Sequence, residues 1–288
     1  MCKKMDINSG KIYIVSTPIG NLKDITFRAI EVLKEVDIIA AEDTRRTREL
    51  LNHFDIKTKV TSYHEHSSYE KAEEIINKIK DNANVAIVTD AGTPLISDPG
   101  NRLVKLAIEN NIEVIAVPGA CAGINALVVS GLDASSFVFV GFLSDNKKIR
   151  EQQLDSLKLE MRTMIFYVSP HNLLKDLKLL SDAFGKERLA SISREMTKVY
   201  EETIRGSLNY ILNYFNSKEI RGEFVLIVSG INKEKVKESE KKAWQDLSIK
   251  EHYDKYLLDG LTDKEAIKKV AKDRDIDRRE VYKELKVK

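Results

Sequence analysis

Short apolar runs alternate with amphipathic segments along the first half of the chain. Five runs have the length of buried strands: Lys11–Thr17, Asp37–Ala41, Val60–Tyr63, Val85–Thr89 and Glu113–Val117. Five further segments predict helices: Phe27–Glu35, a segment after Arg46 that ends near Phe54, Ser68–Lys80, Arg102–Asn110 and Cys121–Gly131. Because alternating strands and helices form parallel sheets with right-handed crossovers, we predict an α/β domain over residues 1–125. The last of these helices is apolar and is expected to be largely buried.

The alternation changes after Gly131. Strands are predicted at Phe137–Leu143, Thr163–Ser169, Arg188–Glu195, Val199–Gly206 and Gly222–Ser229, and helices at Lys147–Glu160, His171–Phe184 and Leu208–Phe215. Only a short turn separates the third of these strands from the fourth, which indicates an antiparallel pair. We therefore predict a second α/β domain, with a mixed sheet, over residues 126–232.

The last part of the chain, residues 233–288, predicts a linker and a small helical segment. Its parts are a charged linker over Lys233–Lys242, a helix within Trp244–Leu261, a helix opened by the capping box Thr262–Glu265, and a helix opened by Asp277 and Glu280. The last helix carries Arg278, Arg279 and Lys283. Two short helices across a tight turn are typical of a helix-turn-helix, and a simple docking appendage is an equal alternative.

Composition indicates a globular protein of a reducing compartment. The 288 residues carry 47 Lys and Arg against 45 Asp and Glu, a balance that permits contact with nucleic acid without demanding it. Cys2 and Cys121 are too few for a disulfide framework, so a cytoplasmic location is expected. The apolar runs are too short for a membrane span, and Met1–Gly10 lacks the apolar region of a secretory signal. The spacing of Cys and His predicts no metal site.

The most unusual stretch follows the fourth predicted strand. Asp90–Gly100 contains two Asp, two Gly and two Pro. Gly92 and Gly100 allow a positive φ and close approach of a ligand to the backbone, whereas Pro94 and Pro99 stiffen the path between them. Ligands of open α/β sheets bind at the carboxyl ends of the strands. This loop is therefore the first candidate for a binding site.

Shaped loops and polar groups recur at the other strand ends. All five prolines follow closely on a predicted strand, at positions 18, 94, 99, 118 and 170. Polar strings occupy the same places: Ser16–Asn21, Glu42–Arg45, His64–His66 and Pro118–Gly119. Because the ends of parallel strands meet at one edge of a sheet, these groups predict a cleft for a polar small molecule. The sequence contains neither G-x-G-x-x-G nor G-x-x-x-x-G-K-[ST], which disfavours an ordinary dinucleotide or triphosphate site.

Several strings resemble those of a known family. They are Ser16-Thr-Pro-Ile-Gly-Asn-Leu22, Ala41-Glu-Asp-Thr-Arg45, Ser62-Tyr-His-Glu-His66, Thr89-Asp-Ala-Gly-Thr-Pro-Leu-Ile-Ser-Asp-Pro-Gly100, Val117-Pro-Gly-Ala120, Phe166-Tyr-Val-Ser-Pro-His171, Arg194-Glu-Met-Thr-Lys198 and Gly222-Glu-Phe224. On these strings the chain resembles the tetrapyrrole-methylase-like, class III S-adenosylmethionine methyltransferases over nearly its whole length. The Glu-Asp-Thr-Arg and His-Glu-His strings are similar to those of members that act on ribosomal RNA.

The resemblance implies a reaction, a cofactor and partners. The expected reaction is 2′-O-methylation of a cytidine ribose in the decoding region of 16S ribosomal RNA, with S-adenosylmethionine as methyl donor. The expected partner is the small ribosomal subunit, and the expected assembly is a homodimer. The cofactor is expected in a cleft between the two α/β domains, in contact with Pro18, Gly20, Asp90, Ala91, Gly92, Thr93, Leu95, Ile96, Ser97, Asp98, Ala120, Cys121, Tyr167, Gly222 and Phe224.

Methyl transfer to a ribose hydroxyl needs the reacting groups to be aligned, and alignment can lower the activation free energy by about 7–11 kcal/mol. A general base can raise the rate by a further factor of about 10²–10⁴. The candidate bases are Asp43, His64, Glu65 and Asp98. We favour the loops that carry Glu42-Asp43 and His64–His66, with Arg45 as a clamp for phosphate or carboxylate. His53 and His252 are expected at the surface, and Cys121 is expected to be a packed side chain rather than a nucleophile.

Two other functions fit parts of the pattern. A methyltransferase for a corrinoid or porphyrin precursor, or for a diphthamide intermediate, would share the fold, but a small substrate needs no basic tail motif. A ligand-sensing DNA-binding regulator would use the α/β part as its sensor. Three basic residues on the last tail helix make a weak major-groove reader, which disfavours the regulator.

Overall fold

The computed structural model describes residues 9–64, 67–98, 100–232 and 247–286. The chain forms two compact units: Met1–Asp155 with Thr163–Ser229, and Ser156–Arg162 with Gly230–Lys288. Several sequence predictions fall outside the described residues, namely those for Glu65, His66, Pro99 and the linker Lys233–Lys242. The first unit contains two five-stranded sheets.

The first sheet is built from alternating strands and helices. Its strands are β1 (Lys11–Val15), β2 (Ile38–Ala41), β3 (Lys59–Ser62), β4 (Val85–Val88) and β5 (Glu113–Val117), and its helices are α1 (Phe27–Glu35), α2 (Thr44–His53), α3 (Tyr69–Lys80) and α4 (Asn101–Glu109). The strand order is β3-β2-β4-β1-β5, and every neighbouring pair is parallel. The predicted parallel sheet is confirmed.

Successive residues of these strands enter two separate cores. Ile87 packs with Ile75 of α3 on one face of the sheet. Its neighbours in β4, Ala86 and Val88, pack with Leu33 of α1 on the other face. This follows from the period of two along a strand. Because helices cover both faces, the central strands β2 and β4 are apolar along their whole length.

The second sheet is mixed, as the sequence predicts. Its strands are β6 (Phe137–Gly141), β7 (Thr163–Val168), β8 (Leu189–Arg194), β9 (Glu202–Ser207) and β10 (Phe224–Val228). The helices along this part of the chain are α5 (Ala122–Ser130), α6 (Lys147–Leu157), α7 (Leu173–Phe184) and α8 (Leu208–Asn216). The order is β6-β7-β10-β8-β9, with β6 and β7 parallel and the other pairs antiparallel. All five residues of β10, at the centre, are buried.

Helix α5 follows the first sheet in the chain but packs on the second. Ala126 and Leu127 share a core with Ile227 of β10, so the predicted boundary between residues 125 and 126 falls inside this helix. The expectation that α5 is largely buried is wrong, because Val128 is 71% exposed and Ile124 and Val129 are exposed as well. The described residues cover only the face of α5 that meets the sheet.

The second unit contains three helices among its described residues: α9 (Ile249–Leu258), α10 (Asp263–Arg274) and α11 (Arg278–Lys286). The predicted capping box Thr262–Glu265 is present at the start of α10. His252 is not a surface residue as predicted; it is fully buried, and Arg274 Nε donates a hydrogen bond to its Nδ1 at 3.1 Å. Burial, with the charge of Arg274, lowers the pKa of His252 to about 4. This histidine is therefore a neutral core residue.

Two classes of feature are absent from the described part of the chain. None of its helices has the length and apolar character needed to cross a membrane. Nor does it bring together three or more His, Cys, Asp or Glu side chains in a way that could hold a metal ion.

Candidate functional site

Hydrogen bonds join the loops that follow β1, β4 and β5. Thr17 and Gly92 exchange two main-chain hydrogen bonds, of 2.9 and 3.1 Å. Ser16 Oγ lies 3.0 Å from Thr93 Oγ1, and Thr93 Oγ1 donates to the carbonyl oxygen of Ala120 at 3.1 Å. These bonds fix the edge of the first sheet at which the strands end.

The backbone at this edge is constrained. Leu95 and Ser97 have φ values of +73° and +65°, which non-glycine residues adopt only when the surrounding structure holds them there. Gly119 is required by space, since a Cβ at this position would lie 2.7 Å from the Cβ of Ser16. The edge is therefore rigid, in keeping with its prolines.

A cleft of about 400 Å³, the central cleft, opens at this edge and has walls from both sheets. The walls from the first sheet and the loops after it are Ile19, Glu42, Arg46, residues 90–93, residues 96–98, Cys121 and Ala122. Those from the second sheet are Phe142, residues 167–170, Met196 and residues 223–225. The predicted cleft between the two sheets is thus present.

Three of the four carboxylates that line the central cleft come from the first sheet and the loops after it: Glu42, Asp90 and Asp98. Glu42 Oε2 accepts a hydrogen bond from the Thr89 hydroxyl at 2.9 Å, and Asp90 Oδ2 lies 3.1 Å from Arg46 Nη1. Burial raises the pKa of Asp98 to about 6; the charges of Glu42 and Asp90 act in the same direction, whereas a hydrogen bond with Thr89 opposes them. Asp98 therefore takes up and releases a proton close to neutral pH.

Tyr167 contributes a phenol to the same cleft. Its hydroxyl accepts a hydrogen bond from the main-chain N–H of Gly123 at 3.3 Å, and its ring meets Phe139 and Phe142 edge to face. Burial, followed by the neighbouring Cys121, raises the pKa of Tyr167 to about 12. The phenol consequently stays protonated at neutral pH and keeps a proton to donate.

Two further cavities lie beside the central cleft. The α4 cavity, of about 500 Å³, is lined by Tyr63, His64, Ser67, Leu95, Ser97, Asp98, Gly100, Asn101, Arg102 and Phe142. The α2 cavity, of about 480 Å³, is lined by the loop after β1 and by α2, with Lys198 and Glu223. Ser97, Asp98 and Phe142 line both the α4 cavity and the central cleft.

Most of the predicted cofactor residues come together in the central cleft. Those that line it are Asp90, Ala91, Gly92, Thr93, Ile96, Ser97, Asp98, Cys121, Tyr167 and Phe224. The other five lie nearby: Leu95 lines the α4 cavity, Pro18 and Gly20 line the α2 cavity, Ala120 binds Thr93 through its carbonyl oxygen, and Gly222 lies against Glu195. Cofactor binding by these residues remains a prediction.

The predicted catalytic residues do not gather at one point. Asp43 caps α2 by accepting a hydrogen bond from the Arg45 N–H at 2.8 Å, and it pairs with the 85% exposed Arg45 side chain. His64 lines the α4 cavity. The hydrogen bonds from Arg45 hold the pKa of Asp43 below its ordinary value, which makes Asp43 a weak proton acceptor. Of Asp43, Arg45 and His64, His64 alone lines one of the three cavities, and Glu65 lies outside the described residues. The fourth candidate base, Asp98, lines both the central cleft and the α4 cavity.

Several wall residues were missed by the sequence analysis. Arg46 pairs with Asp90, although the adjacent Arg45 was chosen as the clamp. Glu223 pairs with Lys198 at 3.0 Å, across the end of the α2 cavity, and it stands inside the string Gly222-Glu-Phe224 that carried the resemblance. Phe142 comes directly after β6 and carried no polar signal. Of these three residues the strings contain only Glu223, and Arg46 comes directly after the string that ends at Arg45.

Comparison with known proteins places the fold in a family. The family model for tetrapyrrole (corrin/porphyrin) methylases matches residues 11–211. Two curated relatives are both named ribosomal RNA small subunit methyltransferase I. That of Halalkalibacterium halodurans is 49% identical over 275 residues (96% of this chain, 94% of the relative), and that of Bacillus subtilis is 46% identical over 273 residues (95% and 93%).

A solved structure shows the same fold at low identity. Uroporphyrin-III C-methyl transferase from Thermus thermophilus, in complex with S-adenyl homocysteine, has a TM-score of 0.54 at 16% identity, covering 76% of this chain and 97% of that chain. The family resemblance seen in the sequence strings is confirmed. The chain belongs to the tetrapyrrole (corrin/porphyrin) methylase family, in which the ribosomal RNA small subunit methyltransferase I proteins are its relatives over nearly the full length.

Proposed function

We propose that the protein transfers a methyl group from S-adenosylmethionine to ribosomal RNA of the small subunit, at the ribose 2′-oxygen of a cytidine in the decoding region. The observation that carries this proposal is the similarity to the two relatives of that name, at 46% and 49% identity over at least 95% of this chain. The ribose and cytidine assignments are what the family resemblance of the sequence strings implies.

The central cleft fits the proposed methyl donor. Its volume of about 400 Å³ lies within the range of about 300–1,000 Å³ for small-molecule sites. Its walls carry four carboxylates, from Glu42, Asp90, Asp98 and Glu223, against one guanidinium, from Arg46. S-adenosylmethionine bears a sulfonium and an ammonium against one carboxylate, so an acidic cleft suits it. When bound, it supplies a methyl group on a positively charged sulfur.

The residues of the cleft contribute alignment and exclusion of water. Gly92 lines the cleft with its main chain, because it has no side chain. The hydrogen bonds of its N–H and carbonyl groups to Thr17 hold this main chain in place. Ile19, Met196 and Val225 form an apolar wall that shares a buried core. A rigid frame of this kind lowers the entropy lost on the way to an in-line geometry.

A homodimer is the proposed assembly. The exposed face of α5 carries Ile124, Val128 and Val129, which are 42%, 71% and 38% exposed. Contiguous exposed apolar side chains mark interaction surfaces, and a two-fold axis can bring one such face against its own copy. The second copy is the proposed occupant because the family resemblance implies a dimer.

The proposal is tested by methyl transfer to small ribosomal subunits from cells that lack this enzyme. With S-adenosylmethionine labelled in its methyl group, label is expected in small-subunit RNA, and nucleotide mapping should place it on a cytidine ribose. Label on a corrin or porphyrin precursor, or on protein, would contradict the RNA assignment. Binding to specific duplex DNA without any transfer would favour a regulator.

A further inference from the structure

The α4 cavity and the central cleft share a wall. Ser97, Asp98 and Phe142 line both, so a molecule in each would meet at these three side chains. The shared loop is held from two sides: a Cβ at Gly141 would lie 3.2 Å from Ser97 Oγ, and a Cβ at Gly100 would lie 3.4 Å from the side chain of Leu95. The wall is therefore a fixed part of the fold.

The two cavities differ in charge. Among the described residues, the central cleft is lined by four carboxylates and one guanidinium, whereas the α4 cavity is lined by the single carboxylate of Asp98, the guanidinium of Arg102 and the imidazole of His64. A polyanion is repelled by the first arrangement and accepted by the second. If the cationic methyl donor occupies the central cleft, the phosphodiester-bearing acceptor has its place in the α4 cavity.

The α4 cavity also has the groups that bind a splayed-out nucleotide. Arg102 is exposed, and Ser67 is the only described residue to which its guanidinium donates a hydrogen bond, at 3.0 Å to the carbonyl oxygen. With respect to the described residues, the other N–H groups of the guanidinium can bind a phosphate. The N-terminus of the nine-residue helix α4 opens at Gly100, and no described side chain caps it. Phe142, 53% exposed, offers a ring on which a base can stack.

We propose that the α4 cavity receives the target nucleotide and that Asp98 is the catalytic base that accepts the proton of its ribose 2′-hydroxyl. This inference rests on the proposed function. The bond that forms joins the ribose oxygen to the methyl carbon, and the bond that breaks is carbon–sulfur, whose electron pair remains on sulfur. The hydroxyl proton passes to an Asp98 carboxylate oxygen and from there to water.

The groups that face Asp98 come from several elements. Glu42 follows β2 and Asp90 follows β4, and both oppose ionisation of Asp98; Tyr167 of β7 lies near it as a protonated phenol. Arg46 neutralises Asp90, and His64 and Arg102 line the far side of the α4 cavity. Since burial and the two carboxylates raise the pKa of Asp98 to about 6, the base is ionised, and the rate maximal, above that pH.

The test compares full-length Asp98→Asn and Arg102→Ala proteins with the wild type. Calorimetry with S-adenosylhomocysteine is expected to show an unchanged affinity for Arg102→Ala, which does not line the central cleft, and for Asp98→Asn a loss of affinity far smaller than its loss of rate. Methyl transfer to unmethylated small subunits is expected to lose about 10²-fold or more in kcat for Asp98→Asn. The wild-type rate should rise tenfold per pH unit below pH 6, and the residual rate of Asp98→Asn should not. Arg102→Ala should raise KM for subunits about tenfold with kcat little changed.

Lys105→Ala is the matched control for Arg102→Ala, because Lys105 is an exposed cation on the same helix and lines none of the three cavities. The assignment of Asp98 as the base is overturned if Asp98→Asn keeps more than a fifth of the wild-type kcat. It is also overturned if the variant loses affinity for S-adenosylhomocysteine in proportion to its loss of rate. A KM for Arg102→Ala no higher than that for Lys105→Ala overturns the acceptor cavity. If the wild type labels no small-subunit RNA, the proposed function itself fails.

Discussion

Whether a given residue lines the candidate site depends on the direction of its side chain, which the sequence does not predict. Arg45 and Arg46 are adjacent and chemically identical, yet successive helical residues point about 100° apart. Arg45 consequently turns back to Asp43 at the surface, and Arg46 reaches Asp90 in the central cleft. The loop strings predicted that polar groups converge. They did not predict which member of each string lines a cavity.

The raised pKa of Asp98 lowers the stability of the folded protein at neutral pH, and this predicts the effect of a substitution. In the unfolded chain Asp98 ionises near its ordinary pKa of 3.8, whereas in the folded protein its pKa is about 6. The folded state therefore loses stability as pH rises through this window. Asp98→Asn is expected to raise the free energy of unfolding by about 1–2 kcal/mol at pH 7.5, after allowance for partial exposure, and to change it little at pH 4.

Thermal unfolding at the two pH values checks this expectation. The melting temperature of Asp98→Asn should exceed that of the wild type by a few degrees at pH 7.5 and should equal it at pH 4. An equal rise at pH 4 would show that packing rather than charge is responsible. The same measurement reports whether Asp98→Asn is folded when its loss of methyl transfer is scored.

At the scale of elements, the strands were predictable and their burial partners were not. The strand-length runs predicted where the ten described strands lie along the chain, but they did not predict the order of the strands within either sheet. Helix α5 is different, since its residues are apolar on every side and the pattern does not say which side meets a sheet. His252 was misjudged for a related reason: one histidine in a charged helix carries no signal that Arg274 and Tyr256 enclose it.

The contact between the β1 and β5 loops gives a prediction at this scale. A Cβ at Gly119 would lie 2.7 Å from the Cβ of Ser16, so Gly119→Ala must push the two loops apart. The expected destabilisation is about 1–3 kcal/mol, with weaker S-adenosylhomocysteine binding. Chemical denaturation should place the stability of Gly119→Ala below that of the wild type by this amount; equal stabilities would contradict the clash.

For the whole molecule, the open question is what covers the outer face of α5. Val128 is 71% exposed on a helix whose inner face is buried. Contact with a second apolar surface would remove this side chain from water, which is favourable in free energy. In a two-fold dimer Val128 of both copies would lie in the interface. A charged residue at this position would therefore bring two like charges together. Val128→Glu is therefore expected to halve the molar mass measured by light scattering while leaving the melting temperature of the chain within a few degrees.

The control for this prediction is Ile108→Glu, which puts the same charge at a 63% exposed position on α4, away from α5. If both variants keep the mass of the wild type, or if the wild type is itself a monomer at micromolar concentration, the second copy is not what covers α5. A wild-type dimer that Val128→Glu dissociates and Ile108→Glu does not would explain why one face of this apolar helix is exposed in the single chain. In that case the missing burial partner of α5, which neither the sequence pattern nor a single chain supplies, is the same helix of another copy.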